Sequence, residues 1–382
     1  MEKYDVIIVG AGSMGMAAGY YLAKKGVHTL LIDAYDPPHN QGSHHGDTRI
    51  IRHAYGEGRE YVPLALRAQA LWYELEQKSG EVLFEKTGVL GFGPVGSSFI
   101  GEAIASSNEY DLELELLTGE EIKTRWPGIT VPEDYVGCYE PASGVLYSEK
   151  CISAYRQLAV EEGVSLLINT PVTNIEIKES EAIISTKEQA YTAAKLIICA
   201  GAWNGKLLAD LNLPLQPTRQ TVAWFEGNEN LYNDQVFPAF FVDTPEGKYY
   251  GFPSFEGSGV KLGRFDDNQP IDPDDERLAF GSMEEDEGEV RRFLETYMPQ
   301  SAGKLNQGKV CMFTRTPDEH FIIDHYPGHT HVIMAAGFSG HGFKFSSVVG
   351  EILCQIAVEG KTDHDISLFS LNRAALQSTV GS

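Results

Sequence analysis

Residues 4–35 alternate two short runs of consecutive apolar residues with one stretch in which small and apolar residues recur at helical spacing. Tyr4 to Val9 is continuous and rich in β-branched side chains, the pattern of a strand buried on both faces. Met14 to Lys25, rich in Ala, Leu and Met, predicts a helix closed by Gly26 as its C-cap. Val27 to Ile32 predicts a second buried strand, so the chain opens as βαβ and implies a parallel sheet. From Pro37 to Gly58 the pattern breaks into a polar loop rich in Gly, His and Arg, and a loop this long inside a compact domain points to function. Helical periodicity resumes from Tyr61 to Lys78.

Further along, residues 83–93 and 111–140 read as strands and turns of a different layer, punctuated by Pro127, Pro132 and Pro141. A helix is expected from Lys150 to Gly163, followed by strand-like segments up to the apolar run Lys195 to Ala200, which is placed at a sheet edge. Residues 215–310 form a second insertion with aromatic strand signals at Val222 to Phe225, Lys248 to Phe252 and Val260 to Leu262. Its acidic helix around Met283 to Tyr297 reads as a solvated face. Val332 to Ala336, a glycine-rich turn and a helix from Ser346 to Val358 repeat the opening strand–turn–helix order. The class is therefore α/β, a Rossmann-type layer with a second, mostly antiparallel β-sheet domain. The expected boundaries are 1–85, 145–215 and 320–382 for the nucleotide-binding domain, and 86–144 and 216–319 for the substrate domain.

Length and charge narrow the picture. A chain of 382 residues suggests two domains or one elaborated domain, and 42% hydrophobic residues exclude a disordered protein. Thirty basic against 54 acidic residues leave a net charge of −24, which repels phosphate backbones and anionic membranes. Neither nucleic acid nor a membrane is an expected partner. An anionic substrate would need a local cluster of Arg and Lys set against the prevailing field. The cysteines, Cys138, Cys151, Cys199, Cys311 and Cys354, are odd in number and contain no CxxC pair, which fits a reducing cytoplasm better than a disulfide framework or a zinc site. The apolar run at Val6 to Val9 stops at Gly10, too short for an export signal or a membrane span.

Gly10-Ala11-Gly12-Ser13-Met14-Gly15 is a GxGxxG turn in the required place, between a strand and a helix. Gly10 permits the tight turn, Gly12 lets a pyrophosphate approach the backbone, and Gly15 lets helix and strand pack closely. The helix N-terminus then binds the phosphates. Asp33 follows Gly15 by 18 residues (33 − 15), where a carboxylate accepts ribose hydroxyls and repels a 2′-phosphate. The run KLIICAGAW from Lys195 to Trp203, a strand ending in Ala-Gly, favours FAD over NAD as the dinucleotide. The run GFSGHGFK from Gly337 to Lys344 supplies a third glycine-rich turn, where a flat ring can approach and a helix N-terminus can stabilise negative charge. Lys344 sits in the first turn of that helix, where the dipole disfavours a cation, so a compensating anion is expected. His44, His45 and His53 have no carboxylate or Cys at ligand spacing, so no metal is expected.

The run GSHHGDTRIIRHAYGEG from Gly42 to Gly58, the segments Val310 to Met312 and Thr316 to Asp324, and Gly337 to Lys344 together closely resemble the monomeric sarcosine oxidase family, which includes N-methyltryptophan oxidase. The likeness runs over essentially the whole chain in the same order. It implies FAD held covalently, 8α carbon to cysteine sulfur, at the position matching Cys311. It implies a substrate carboxylate gripped by Arg52 and Lys344, which would be the basic cluster that the net charge called for. Arg49 corresponds to a residue near the flavin ring, with His45 and Thr48 beside it, and Lys261 to a lysine on the other flavin face where O2 is activated. Tyr250 would line the substrate cavity. Ser13, Met14, Ser43, Val172, Gly340 and Gly342 complete the implied cofactor contacts. Two positions depart from the family pattern, Phe265 in place of His and Phe313 in place of Tyr, and predict a more apolar cavity. The implied activity is oxidation of a secondary amino acid by O2 in a monomer, yielding peroxide and formaldehyde. The alternatives are an N-methyltryptophan or cyclic imino acid oxidase, a dehydrogenase using another acceptor, and a flavin-binding protein without turnover.

Overall fold

A computed structural model describes residues 2–377. The opening strand Glu2–Val9 pairs in parallel with Thr29–Ile32 on one side and Ala190–Ile198 on the other. Ser165–Leu167 extends the parallel ladder beyond Thr29–Ile32, and His329–Ala336 extends it beyond Ala190–Ile198. Antiparallel strands Asn174–Ile177, Ala182–Ser185 and Ile322–Tyr326 complete an eight-stranded sheet. The run from Lys195 to Ala200 therefore does not lie at a sheet edge: its strand is paired on both sides, and Leu196, Ile197 and Ile198 are fully buried. A continuous apolar run is what an interior parallel strand requires, because both its faces are covered.

Helix Ser13–Lys24 packs between helices Ser148–Glu161 and Ser346–Glu359 on this sheet. The crossing with the last helix is close enough that a Cβ on Gly350 would sit 2.6 Å from the Ala17 Cβ. The glycine there is a packing residue.

Nine strands form the second sheet, in the order Gln269–Pro270, Gln216–Phe225, Val260–Arg264, Gly247–Phe252, Ala239–Thr244, Val89–Pro94, Tyr135–Glu140 and Glu115–Thr118, with Leu305–Arg315 also on Gln216–Phe225. All pairs are antiparallel except Ala239–Thr244 with Val89–Pro94. A helix, Gly119–Arg125, interrupts the 111–140 segment whose pattern suggested only strands and turns, and a second, Ser98–Tyr110, fills the stretch before it. Ser98–Tyr110 starts at Ser97, whose side chain accepts from the Ile100 amide, and Gly119–Arg125 starts with a reciprocal capping box between Thr118 and Glu121.

The acidic helix Glu285–Tyr297 is also more than a solvated face. Val290, Phe293, Leu294 and Tyr297 form a buried stripe at helical spacing. Asp286 is buried too, accepting Arg219 Nη1 and Nη2 at 2.6 and 2.8 Å, and so ties the helix to the sheet. Inside the expected polar loop, Thr48–Ile51 forms a strand of a small third sheet with Gly144–Tyr147 and Phe84–Glu85. That sheet carries Arg49, and Arg52 follows directly after its strand. No helix among the described residues is long and apolar enough to cross a membrane.

Candidate active site

The glycine turn opens onto a cavity of about 540 Å³, within the range typical of small-molecule and cofactor sites. Gly10 has φ 96°, and a Cβ there would lie 2.5 Å from the Cys199 carbonyl oxygen. A Cβ on Gly15 would overlap the Gly10 carbonyl, so Gly15 serves close packing of helix on turn. Gly12 differs: the nearest atom to a Cβ would be His44 Nδ1 at 3.9 Å, so its backbone faces open cavity. Helix Ser13–Lys24 has no side-chain cap at Gly12, which leaves first-turn amides for a ligand. Asp33 accepts the Ala11 amide at 2.7 Å and the Tyr35 amide at 2.9 Å, fixing its carboxylate at the cavity wall. These features fit the phosphates and ribose of a dinucleotide. Ser13, Met14, Ser43, Arg49, Val172, Gly340 and Gly342 line the same cavity, whereas Cys311 and Lys344 do not.

A second cavity of about 60 Å³ adjoins it, and Arg49, Phe313, Gly340 and Phe343 belong to both walls. Arg52, Lys344, Tyr250 and Phe265 meet there. Arg52 is 6% exposed, stacked with its guanidinium carbon 4.5, 5.0 and 5.6 Å from the ring centres of Tyr55, Phe99 and Phe241. Its Nη2 donates to both Glu57 oxygens at 2.7 and 2.5 Å. Burial alone would raise the Glu57 pKa, but Arg52, His341 and Lys344 together hold it well below the usual carboxylate range.

Lys344 lies in a 3-10 turn, Phe343–Phe345, just ahead of the helix Ser346–Glu359, and not in the helix's first turn. Burial first, and Arg52 next, bring its pKa down to about 7 against the opposing pull of Glu57. The helix-dipole reason for expecting an anion beside Lys344 therefore does not apply; Glu57, paired with Arg52, acts on Lys344 only through its charge. Glu57 lies in the run from Gly42 to Gly58, but no spacing rule pairs it with Arg52. No local sequence pattern marks Tyr55, Phe241 or His341, because contacts made across the fold bring them here.

Lys261, on strand Val260–Arg264, is 2% exposed and lines neither cavity. Its Nζ donates to the carbonyls of Gly46 and Thr48 at 2.6 and 3.0 Å and bonds the Thr48 hydroxyl at 2.9 Å. Burial, then Arg49, drives its pKa well down, while Asp47 and Glu149 oppose. Arg49 donates to the carbonyls of Thr48, Ser43 and His45 at 2.7, 2.8 and 2.6 Å. Thr48 therefore links the two cations through one carbonyl. His45 lies off both cavity walls, 3.5 Å from Glu149, which also accepts the amides of Gly46 and Asp47.

Cys311, on strand Leu305–Arg315, is buried beside Phe241, Phe265 and Phe313. Burial raises its thiol pKa, and Arg49, Lys261 and Arg277 pull the other way. Its neighbours Met312 and Phe313 line the large cavity. His44 and His53 have separate partners: His44 Nε2 accepts the His39 amide and His53 Nδ1 lies 2.8 Å from Glu140.

Comparison with known proteins agrees with this geometry. A family model described as FAD dependent oxidoreductase matches residues 5–356. The chain is 60% identical over 380 residues to a monomeric sarcosine oxidase of Arthrobacter sp. (strain TE1826), covering 98% of each protein. It is 44% identical to the N-methyl-L-tryptophan oxidase of Escherichia coli (strain K12), over 97% of this chain and 99% of the relative. The solved structure of NikD, an unusual amino acid oxidase, superposes with a TM-score of 0.85 at 22% identity, covering 97% of this chain and 98% of that one, a likeness of fold. With its glycine turn, its acidic strand end and a family match across most of its length, the chain belongs to the FAD-dependent oxidoreductases.

Proposed function

We propose that the protein oxidises an N-methyl amino acid, sarcosine foremost, with O2 as acceptor. The balance is sarcosine, O2 and water to glycine, formaldehyde and H2O2. One observation carries this reading: two buried cations, Arg52 and Lys344, meet aromatic side chains in a small cavity that shares walls with the dinucleotide cavity. The names of the relatives at 60% and 44% identity support it.

Bound FAD supplies an acceptor for the hydride leaving the substrate's N-methyl carbon. The chain's own residues do the rest. Arg52 presents its guanidinium to the substrate carboxylate, with Nη2 bonded to Glu57 and Nη1 making only a 3.4 Å bond to the Ala54 carbonyl. Fixing the carboxylate fixes the methyl group's orientation, which lowers the barrier by removing rotational freedom. Arg49, Arg52 and Lys344 lower the pKa of the bound ammonium and favour the neutral amine, whose lone pair stabilises the forming iminium. Phe265 and Phe313, in contact with Gly340, exclude water from this end.

A volume of about 60 Å³ favours sarcosine over an indole-bearing substrate. In a peroxide-coupled assay, kcat/KM for sarcosine should exceed that for N-methyl-L-tryptophan by at least about tenfold. The reverse order would replace sarcosine with the bulky substrate.

FAD is tethered, in this reading, through Cys311. The nucleophile must be a thiolate, and the Arg49, Lys261 and Arg277 charges oppose the cost of burying one. Acid precipitation of the protein should carry the yellow colour into the pellet, and Cys311→Ser should release it to the supernatant. Colour released from the unaltered protein would remove the tether. Residues 1–85, 145–215 and 320–382 would hold FAD, and 86–144 with 216–319 would wall the substrate. Buried, unpaired cysteines suit a reducing cytoplasm, and the relatives' names suit a monomer.

A further inference from the structure

Tyr55 is fully buried and belongs to no role assigned so far. It nevertheless touches both cations of the small cavity: the Arg52 guanidinium lies 4.5 Å over its ring, and Lys344 Nζ donates to its hydroxyl at 3.2 Å. The same hydroxyl is 2.7 Å from His341 Nδ1, and the other ring nitrogen, Nε2, is 3.0 Å from the Glu319 carbonyl.

The direction of every proton in this chain follows from one fact. A carbonyl oxygen can only accept, so Nε2 of His341 must carry the hydrogen. Burial, with help from Lys344 and Arg52, brings the His341 pKa down to about 4, so the ring is neutral near pH 7 and Nδ1 is an acceptor. The Tyr55 hydroxyl therefore donates to Nδ1 and turns a lone pair toward Lys344. Lys344 also donates to the His341 carbonyl at 3.0 Å. Two of its three protons are committed within the protein, and the third is the one left for a ligand in the cavity that Lys344 lines. Neighbouring anchors hold this arrangement: Ser106 Oγ donates to the Tyr55 carbonyl at 2.9 Å, and Trp72 Nε1 donates to the Lys344 carbonyl at 2.9 Å.

We propose that Tyr55 and His341 are positioning residues for the substrate carboxylate: the tautomer fixed by the Glu319 carbonyl aims the Tyr55 hydroxyl, and that hydroxyl aims Lys344 into the cavity. The inference rests on the reading of Lys344 as a carboxylate ligand.

Titration makes the device measurable. The groups facing Lys344 are Arg52, Arg49 and Glu57, together with Tyr55 and His341. The ammonium form binds a carboxylate, so affinity is present below the Lys344 pKa and falls as pH rises through it, near 7. Removing the Tyr55 acceptor destabilises the ammonium form and must move that fall to lower pH.

The test uses the flavin-loaded protein, with acetate as a bare carboxylate probe, binding read from the visible flavin absorbance between pH 5 and 9. Tyr55→Phe, which keeps the ring and its stack with Arg52, should weaken acetate about tenfold at neutral pH and shift the midpoint down by about one unit. In turnover it should raise the KM for sarcosine with kcat changed by less than about threefold. His341→Leu should behave like Tyr55→Phe, whereas His341→Asn, whose amide oxygen can still accept from Tyr55, should keep the original midpoint. An unshifted midpoint in both Tyr55→Phe and His341→Leu would overturn the proposal, even if affinity dropped evenly at all pH, since a packing role alone would do that. Lys344→Met separates the two readings: if it binds acetate as tightly as the unaltered protein, the carboxylate assignment of Lys344 falls, and if it loses acetate while Tyr55→Phe keeps affinity and midpoint, only the positioning device falls.

Discussion

Arg52→Ala is expected to raise the KM for sarcosine by about a hundredfold or more, with kcat falling by a smaller factor. Truncating one member of a buried, hydrogen-bonded charge pair costs roughly 2–5 kcal/mol, and each 1.4 kcal/mol is about tenfold in affinity. Arg52 meets the conditions for an effect of that size. It is stacked among Tyr55, Phe99 and Phe241, nearly inaccessible to water, and its Nη2 donates to both oxygens of the Glu57 carboxylate. An interaction made with the substrate in both ground and transition states appears mainly in KM. Part of the loss will come from Glu57, left buried without its partner, so Arg52→Ala/Glu57→Gln should recover fold stability without recovering KM. A KM unchanged in the single variant would remove Arg52 from the carboxylate site.

Lys261→Met is expected to slow the reaction of the reduced enzyme with O2 by about 10²–10³, the usual cost of removing one preorganised charge-stabilising group. Reduction by sarcosine should change by less than about threefold, because Lys261 lines neither cavity. The lysine sits beneath the wall, with the Thr48 carbonyl shared between it and Arg49. In this proposal, a charged Lys261 would stabilise the negative charge that forms when O2 takes its first electron in a dry site. Burial lowers the Lys261 pKa, so the charged form is present at low pH and lost as pH rises. The oxygen rate constant should fall with that loss, and the Met variant should show no such limb. Stopped-flow measurement of the two half-reactions separates them, and equal slowing of both would contradict the assignment.

Much of this site was legible in the sequence because its signals are local. The glycine turn, the helix after it and Asp33 lie within one short βαβ unit: Gly10 makes the turn, Gly15 packs, and Gly12 faces the cavity. What escaped depends on pairing across the fold. Lys195 to Ala200 has the composition of any buried strand, and only its partners Glu2–Val9 and His329–Ala336 place it inside the sheet. The carboxylate of Asp286 looks solvated until Arg219, distant in sequence, reaches it. Lys261 alternates with apolar neighbours as an exposed strand lysine would, and its burial follows from the loop carbonyls of Gly46 and Thr48 folding over it. The links among Glu57, Tyr55, His341 and Lys344 join the polar loop to the last glycine turn, a contact between segments far apart in sequence.

The most direct measurement is anaerobic mixing of the purified yellow protein with sarcosine, followed by air. Bleaching of the visible flavin absorbance, its return on admitting oxygen, and one H2O2 formed per sarcosine consumed are the predicted result. Flavin that stays oxidised under excess sarcosine would contradict the account at its centre.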